Sequence, residues 1–188
     1  MAGLYDLGRP GAGLFGLAQI KRKIFVSYHH RGDQAYYNAF SRTFCDQYDV
    51  IYDNSLERQI DSDDVDYVRR RISENHITGS SCTLVLVGRD TWGRKYVDWE
   101  IDATLEKQHG LIGVRLPTAP VAQDGSVSVP GRLHDNIRSG YALWVTWNEL
   151  TQSAALLTQY IELANKTPTN LINNRRERRY RNASELGY

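Results

Sequence analysis

The chain has 188 residues, of which 41% are hydrophobic and 24% charged, and its net charge is +1. That length suits one domain with extensions, large enough to bury roughly 70% of the surface its unfolded chain exposes. The composition excludes disorder throughout, and so small a net charge selects no particular partner.

The charge is unevenly spread. Residues 166–188 hold six basic and two acidic side chains, a net +4, which leaves residues 1–165 at −3. The first twenty residues contain five glycines and one proline and read as a flexible arm. They lack the charge order of a secretory signal, and no run of the chain approaches the ~18 apolar residues of a membrane span. A cytoplasmic protein is expected. Cys45 and Cys82 have no metal-ligand spacing and no disulfide framework, and both read as reduced core residues.

Order begins at Lys23-Ile-Phe-Val-Ser-Tyr28, a short β-branched and aromatic run that reads as a buried first strand. Asp33 to Tyr48 reads as a helix that Asp33 can cap, with Ala35, Tyr36, Ala39, Phe40 and Phe44 at helical spacing. Residues 49–52 read as a second strand and 53–60 as a polar loop. Ser62 or Asp63 opens a helix to about Asn75, with Val65, Val68 and Ile72 inside. Cys82-Thr-Leu-Val-Leu-Val87 is apolar almost throughout, as a strand covered on both faces must be.

A polar loop, Gly88 to Arg94, leads into a helix to about His109, with Val97, Ile101 and Leu105 one turn apart and Gly110 as its left-handed terminator. Residues 111–116 read as a fourth strand and Pro117 to Gly140 as a long loop. Residues 142–146 read as a fifth strand, and Asn148 or Thr151 opens a last helix to about Asn165. This alternation predicts an α/β fold: a parallel five-stranded sheet with helices on both faces. In such sheets ligands bind at the carboxyl ends of the strands, where strand order reverses. The loops after strands one (29–32) and three (88–96) should converge there.

Two segments carry chemistry. In Trp92-Gly-Arg-Lys-Tyr-Val-Asp-Trp-Glu-Ile101, Glu100 falls within the first two turns of a helix that leaves the central strand. Tyr96 and Trp99 can wall a pocket around it and desolvate the carboxylate. The competing reading is a solvated acid favoured by the helix dipole. In Ile24-Phe-Val-Ser-Tyr-His-His-Arg-Gly-Asp33, the residues Ser27, Tyr28, His29, His30 and Asp33 gather at the end of strand one, as a site or simply as a strand end with a cap. No metal-ligand set, GxGxxG, P-loop or nucleophile elbow is present. Five arginines within 175–181 give an acidic partner or nucleic acid something to bind, but such a run more often belongs to a solvated terminus. The mildly acidic body disfavours nucleic acid.

The two segments together resemble TIR domains. Ile24 to Tyr28 followed by Asp33 looks like their opening box, and Cys82 to Val87 followed by Tyr96-Val-Asp-Trp-Glu100 looks like their later segment. Tyr96 stands where Trp is usual, and Val97 where Cys is frequent. The sequence is more similar still to the bacterial TIR-like group that includes the sensor-synthase proteins of the Thoeris anti-phage system. That similarity lies in Lys23-Ile-Phe-Val-Ser-Tyr-His29, in Leu86-Val-Gly88, in the stretch 94–101 and in Arg132-Leu-His-Asp-Asn136.

The resemblance covers about residues 21–165, between the arm (1–20) and the basic tail (166–188), and implies a flavodoxin-like fold. It also implies an enzyme of the NAD⁺ glycohydrolase or ADP-ribosyl cyclase type. Such an enzyme takes NAD⁺ as substrate, needs no other cofactor or metal, and makes linear, cyclic or conjugated ADP-ribose as a nucleotide signal for a downstream effector. Glu100 maps to the family's catalytic residue. Phe25, Ser27, Tyr28, His29 and Asp33 would line the cleft, Tyr96 would flank it, Trp99 would stack or serve the core, and Asn136 would reach the ribose or diphosphate. Self-association would switch activity on. A non-catalytic scaffold that works by self-assembly is the alternative, because fold does not determine function.

Overall fold

The computed structural model describes residues 21–51, 77 and 79–183. The expected arm, the loop at 53–60 and the helix from Ser62 or Asp63 to Asn75 lie outside these residues. The described elements are β1 (Arg22–Tyr28), α1 (His30–Phe44), β2 (Tyr48–Ile51), β3 (Ser80–Val87), α2 (Lys95–Glu106), β4 (Gly110–Arg115), α3 (Gly131–Ser139), β5 (Leu143–Thr146), α4 (Trp147–Thr151) and α5 (Ala154–Asn165). All five strands pair in parallel, in the order β2-β1-β3-β4-β5.

Strand alternation sends side chains to two separate cores. Ile24, Val26 and Tyr28 of β1, with Cys82, Leu84 and Leu86 of β3, pack against Phe40 and Phe44 of α1 and Leu157 and Ile161 of α5. On the other face Val85, Val87 and Leu111 meet Val97, Ile101 and Leu105 of α2 and Leu133 of α3. The result is the expected α/β architecture, with helices on both faces of a five-stranded sheet. From β1 the chain places β2 on one side and β3, β4 and β5 on the other, so strand order reverses between β1 and β3.

Several elements differ from their sequence-based expectation. Helix α1 starts at His30, with His29 and not Asp33 at the cap position. Within the expected loop 117–140 lies α3, which buries Leu133 and Asn136; the Leu133–Ile137 spacing is its sequence trace beneath the Gly- and Pro-rich surroundings. The last helix is two. Thr146 caps α4 in a reciprocal box with Glu149, and Ser153 caps α5 through the Leu156 N–H. Gly110 does not terminate α2: Gln108 takes the positive φ of 56° there. Gly110 opens β4, and a side chain on it would strike Ala164 and Asn165 of α5. Cys82 is buried, which pushes its thiol pKa up to about 12, but Cys45 is exposed and is no core residue.

The described part of the basic tail is not a solvated extension. After the 3₁₀ turn Thr169–Leu171, residues 173–183 run back across α3 and α2.

Candidate functional site

Helix α2 leaves the 3₁₀ turn Thr91–Gly93 that follows β3, and nine of its twelve residues are buried. A helix covered on nearly every side must dispose of its polar groups one by one. Val97, Ile101 and Leu105 face the sheet under β3 and β4. Trp99 and Ala103 join Phe25 and Ile77, with Tyr96 packed against them. Asp98 and Asp102 turn toward α3 and the C-terminal segment.

Glu100 is 6% exposed, and helical spacing puts it between the sheet-facing set and the Trp99–Ala103 set that meets Phe25 of β1. One turn further on, the Thr104 hydroxyl bonds both the Glu100 carbonyl and the hydroxyl of Thr83 on β3, each at 2.8 Å. α2 runs antiparallel to the strands, so the step back from Thr104 to Glu100 leads toward their carboxyl ends.

β1 supplies the facing group. Phe25 pairs with Thr83, and Ser27, two residues on and on the same face, pairs with Val85. Ser27 is 1% exposed, and its hydroxyl has no hydrogen-bond partner among the described residues. A hydroxyl left dry and unpaired costs roughly 1–3 kcal/mol, and such groups in native proteins call for an explanation. Here a buried carboxylate and a buried, unsatisfied hydroxyl lie on neighbouring elements, near the point where strand order reverses between β1 and β3.

His29 and Asp33 follow β1 at the same edge of the sheet and are both buried. The His29 carbonyl starts α1 by accepting the N–H groups of Gly32 and Asp33. The Asp33 carboxylate accepts the Thr91 hydroxyl at 3.0 Å and, more weakly, the Thr118 hydroxyl at 3.5 Å. Thr91 in turn accepts the Gly88 N–H at 2.9 Å, and any side chain on Gly88 would overlap the Asp33 carboxylate. Asp33 thus clips the start of α1 to the loop that delivers α2.

Burial raises the Asp33 pKa above the ordinary carboxylate value, against the lowering effect of the Thr91 hydrogen bond and of His29. The folded state therefore holds this proton to higher pH than the unfolded chain does. Its contribution to stability falls as pH rises from about 4 through the folded-state pKa, then levels off. Asp33→Asn keeps an acceptor for Thr91 and should remove that slope, as urea midpoints between pH 4 and 7 will show.

The other expected site residues are placed unevenly. Phe25, Ser27, Tyr96, Trp99 and Glu100 gather on one face of the sheet. Phe25 is wholly buried core, and Trp99, 4% exposed, meets Tyr96 edge-on and donates its indole N–H to the Arg179 carbonyl at 2.8 Å. Tyr28 points to the opposite face, where it stacks on Tyr37 and bonds Gln34. Asn136 lies in α3, with its side-chain amide occupied by the Arg132 carbonyl and both backbone groups of Asn173.

The sequence reading missed Thr91, Thr118, Asp98, Asp102 and Arg132. Asp98 and Asp102 left a trace: they stand four residues apart, on one face of a helix whose other faces carry Val97, Trp99, Ile101, Ala103 and Leu105, and acids so placed need a partner if that helix is buried. Among the described residues, no three His, Cys, Asp or Glu side chains are grouped to hold a metal ion, and no helix is long and apolar enough to cross a membrane.

A parallel five-stranded sheet in the order β2-β1-β3-β4-β5, with helices on both faces, is the flavodoxin-like architecture that TIR-like domains share with other α/β proteins. The family model described as Thoeris protein ThsB, TIR-like domain, matches residues 25–120. The chain belongs to that family, and with it to the TIR-like domains of Thoeris anti-phage defence. The matched stretch contains Ser27, Asp33 and Glu100, whereas Arg132, Asn136 and residues 173–183 lie beyond it. No curated protein matches the sequence.

Proposed function

We propose that this domain binds NAD⁺ in the crevice between β1 and β3 and cleaves the bond between nicotinamide and ribose. The ADP-ribose-derived product, linear, cyclic or conjugated, would then activate a defence effector. The observation that supports this most directly is the burial of two polar groups near the point where strand order reverses: the Glu100 carboxylate on α2 and, on β1, the Ser27 hydroxyl, which has no hydrogen-bond partner among the described residues. A ribose bears the hydroxyls that such a pair would bind.

The nicotinamide of NAD⁺ is cationic and departs as a neutral molecule, taking the electrons of the C–N bond with it. No general acid is needed, unlike in ordinary glycoside hydrolysis with its two carboxylates. Glu100 stabilises the positive charge that develops on the ribose ring, in a site dry enough to make that interaction strong. Water, or a nucleophile on the same or another molecule, then bonds to the anomeric carbon and releases a proton. Self-association is part of the proposal, as the step that completes the crevice on activation.

The test is mass spectrometry of nucleotides and nicotinamide from cells making the protein, with and without phage challenge, beside assays of the purified protein with NAD⁺. The reading requires NAD⁺ loss with matching release of nicotinamide. Oligomers that form under challenge while NAD⁺ stays intact would favour the scaffold instead.

A further inference from the structure

The outward side of α2 carries two buried carboxylates one turn apart, Asp98 and Asp102. Like charges so close and so dry need cationic partners. Arg132 of α3, 0% exposed, grips Asp98 with two parallel bonds at 3.1 and 3.2 Å and lies 3.4 Å from Asp102. Residues 173–183 supply further partners to both carboxylates. Asn174 donates to Asp102 and accepts from Arg132, Arg178 donates to Asp102 at 2.7 Å, and the Arg179 N–H donates to Asp98 at 3.1 Å.

The segment continues antiparallel to α2 toward the helix start. The Arg179 carbonyl accepts the Trp99 indole N–H, Asn182 accepts the Lys95 backbone N–H at 3.0 Å, and Ala183 closes on Gly93. The Lys95 N–H is one of the donors that a helix N-terminus leaves without an internal partner. At its other end the segment is pinned by Asn136, and Arg176 bonds Asp135 twice, at 2.8 and 3.0 Å.

We propose that residues 173–183 form a strap which, through Arg132, holds α2 in one place and so positions Glu100. Arg132, Asn174, Arg178 and Asn182 are positioning residues, and the functional part of the inference rests on the reading of Glu100 as the catalytic carboxylate. Loosening the strap leaves Asp98, Asp102 and the helix start short of partners, and the helix relieves this by shifting or fraying toward water. A misplacement of about 1 Å at a reacting group lowers a rate by about 100-fold.

The test uses the full chain carrying Asn174→Ala, Arg178→Ala and Asn182→Ala together, beside the parent and Arg178→Lys. Hydrogen exchange across residues 95–106 should quicken by about tenfold or more while β3 keeps its protection. In nicotinamide release, kcat should fall by about tenfold or more with KM within about twofold of the parent. Arg178→Lys, which keeps a cation beside Asp102, should retain most of the kcat.

Parental exchange in α2 overturns the proposal, and so does faster exchange with an unchanged kcat. If β3 also loses protection, Asn182→Ala alone, which removes the acceptor for the Lys95 N–H, carries the same test. If the parent releases no nicotinamide even in phage-challenged cells, the NAD⁺ reading fails by itself, and exchange in α2 decides whether the strap holds the helix.

Discussion

Glu100→Gln should lower nicotinamide release from NAD⁺ by about 100-fold or more, with the thermal midpoint close to that of the parent. The substitution keeps the shape of the side chain and most of its hydrogen-bonding capacity but removes the charge. Only the charge meets the oxocarbenium-like transition state, so the loss should appear in kcat more than in KM. A merely structural buried acid would behave in the opposite way, moving the thermal midpoint and sparing turnover. A glutamine variant as active as the parent would remove Glu100 from the mechanism.

Arg132→Met should produce the largest loss of stability, about 3–5 kcal/mol, read from urea unfolding. Arg132 is wholly enclosed and grips two carboxylates that are themselves buried. Methionine fills much of the same space but takes the guanidinium away from Asp98 and Asp102. Adding Asp98→Asn and Asp102→Asn should recover a large part of the loss, because no buried charge then lacks its counterpart. The three positions share one network, so their effects should not add. Equal losses in the single and triple variants would show that packing, not charge, accounts for Arg132.

The face of the sheet used by each β1 side chain was legible from alternation alone. Ile24, Val26 and Tyr28 had to share one face, Phe25 and Ser27 the other. That parity also bears on the site, because it puts Ser27 on the side of α2 and Tyr28 away from it. The group expected at the end of strand one therefore divides, although its members are adjacent in sequence. Asp33 was legible as a helix cap or a cleft residue, but its place inside the first turn of α1 and its partners Thr91 and Thr118 were not. They lie 58 and 85 residues away, at separations where periodicity carries no information.

The amino-acid sequence by itself determined the α/β alternation, the central position of β3, and the delivery of Glu100 on a helix that follows it. Each of these depends on local preference and on the period of apolar residues, which neighbouring positions carry between them. Only the tertiary structure decided that Asn136 serves the C-terminal segment, that Arg132 neutralises α2, and that Arg178 and Arg179, legible as part of a solvated run, bond two buried acids. An arginine has the same composition on a free tail and in a strap. What distinguishes the two is a carboxylate brought beside it by the packing of distant elements, and burial then makes that pairing obligatory.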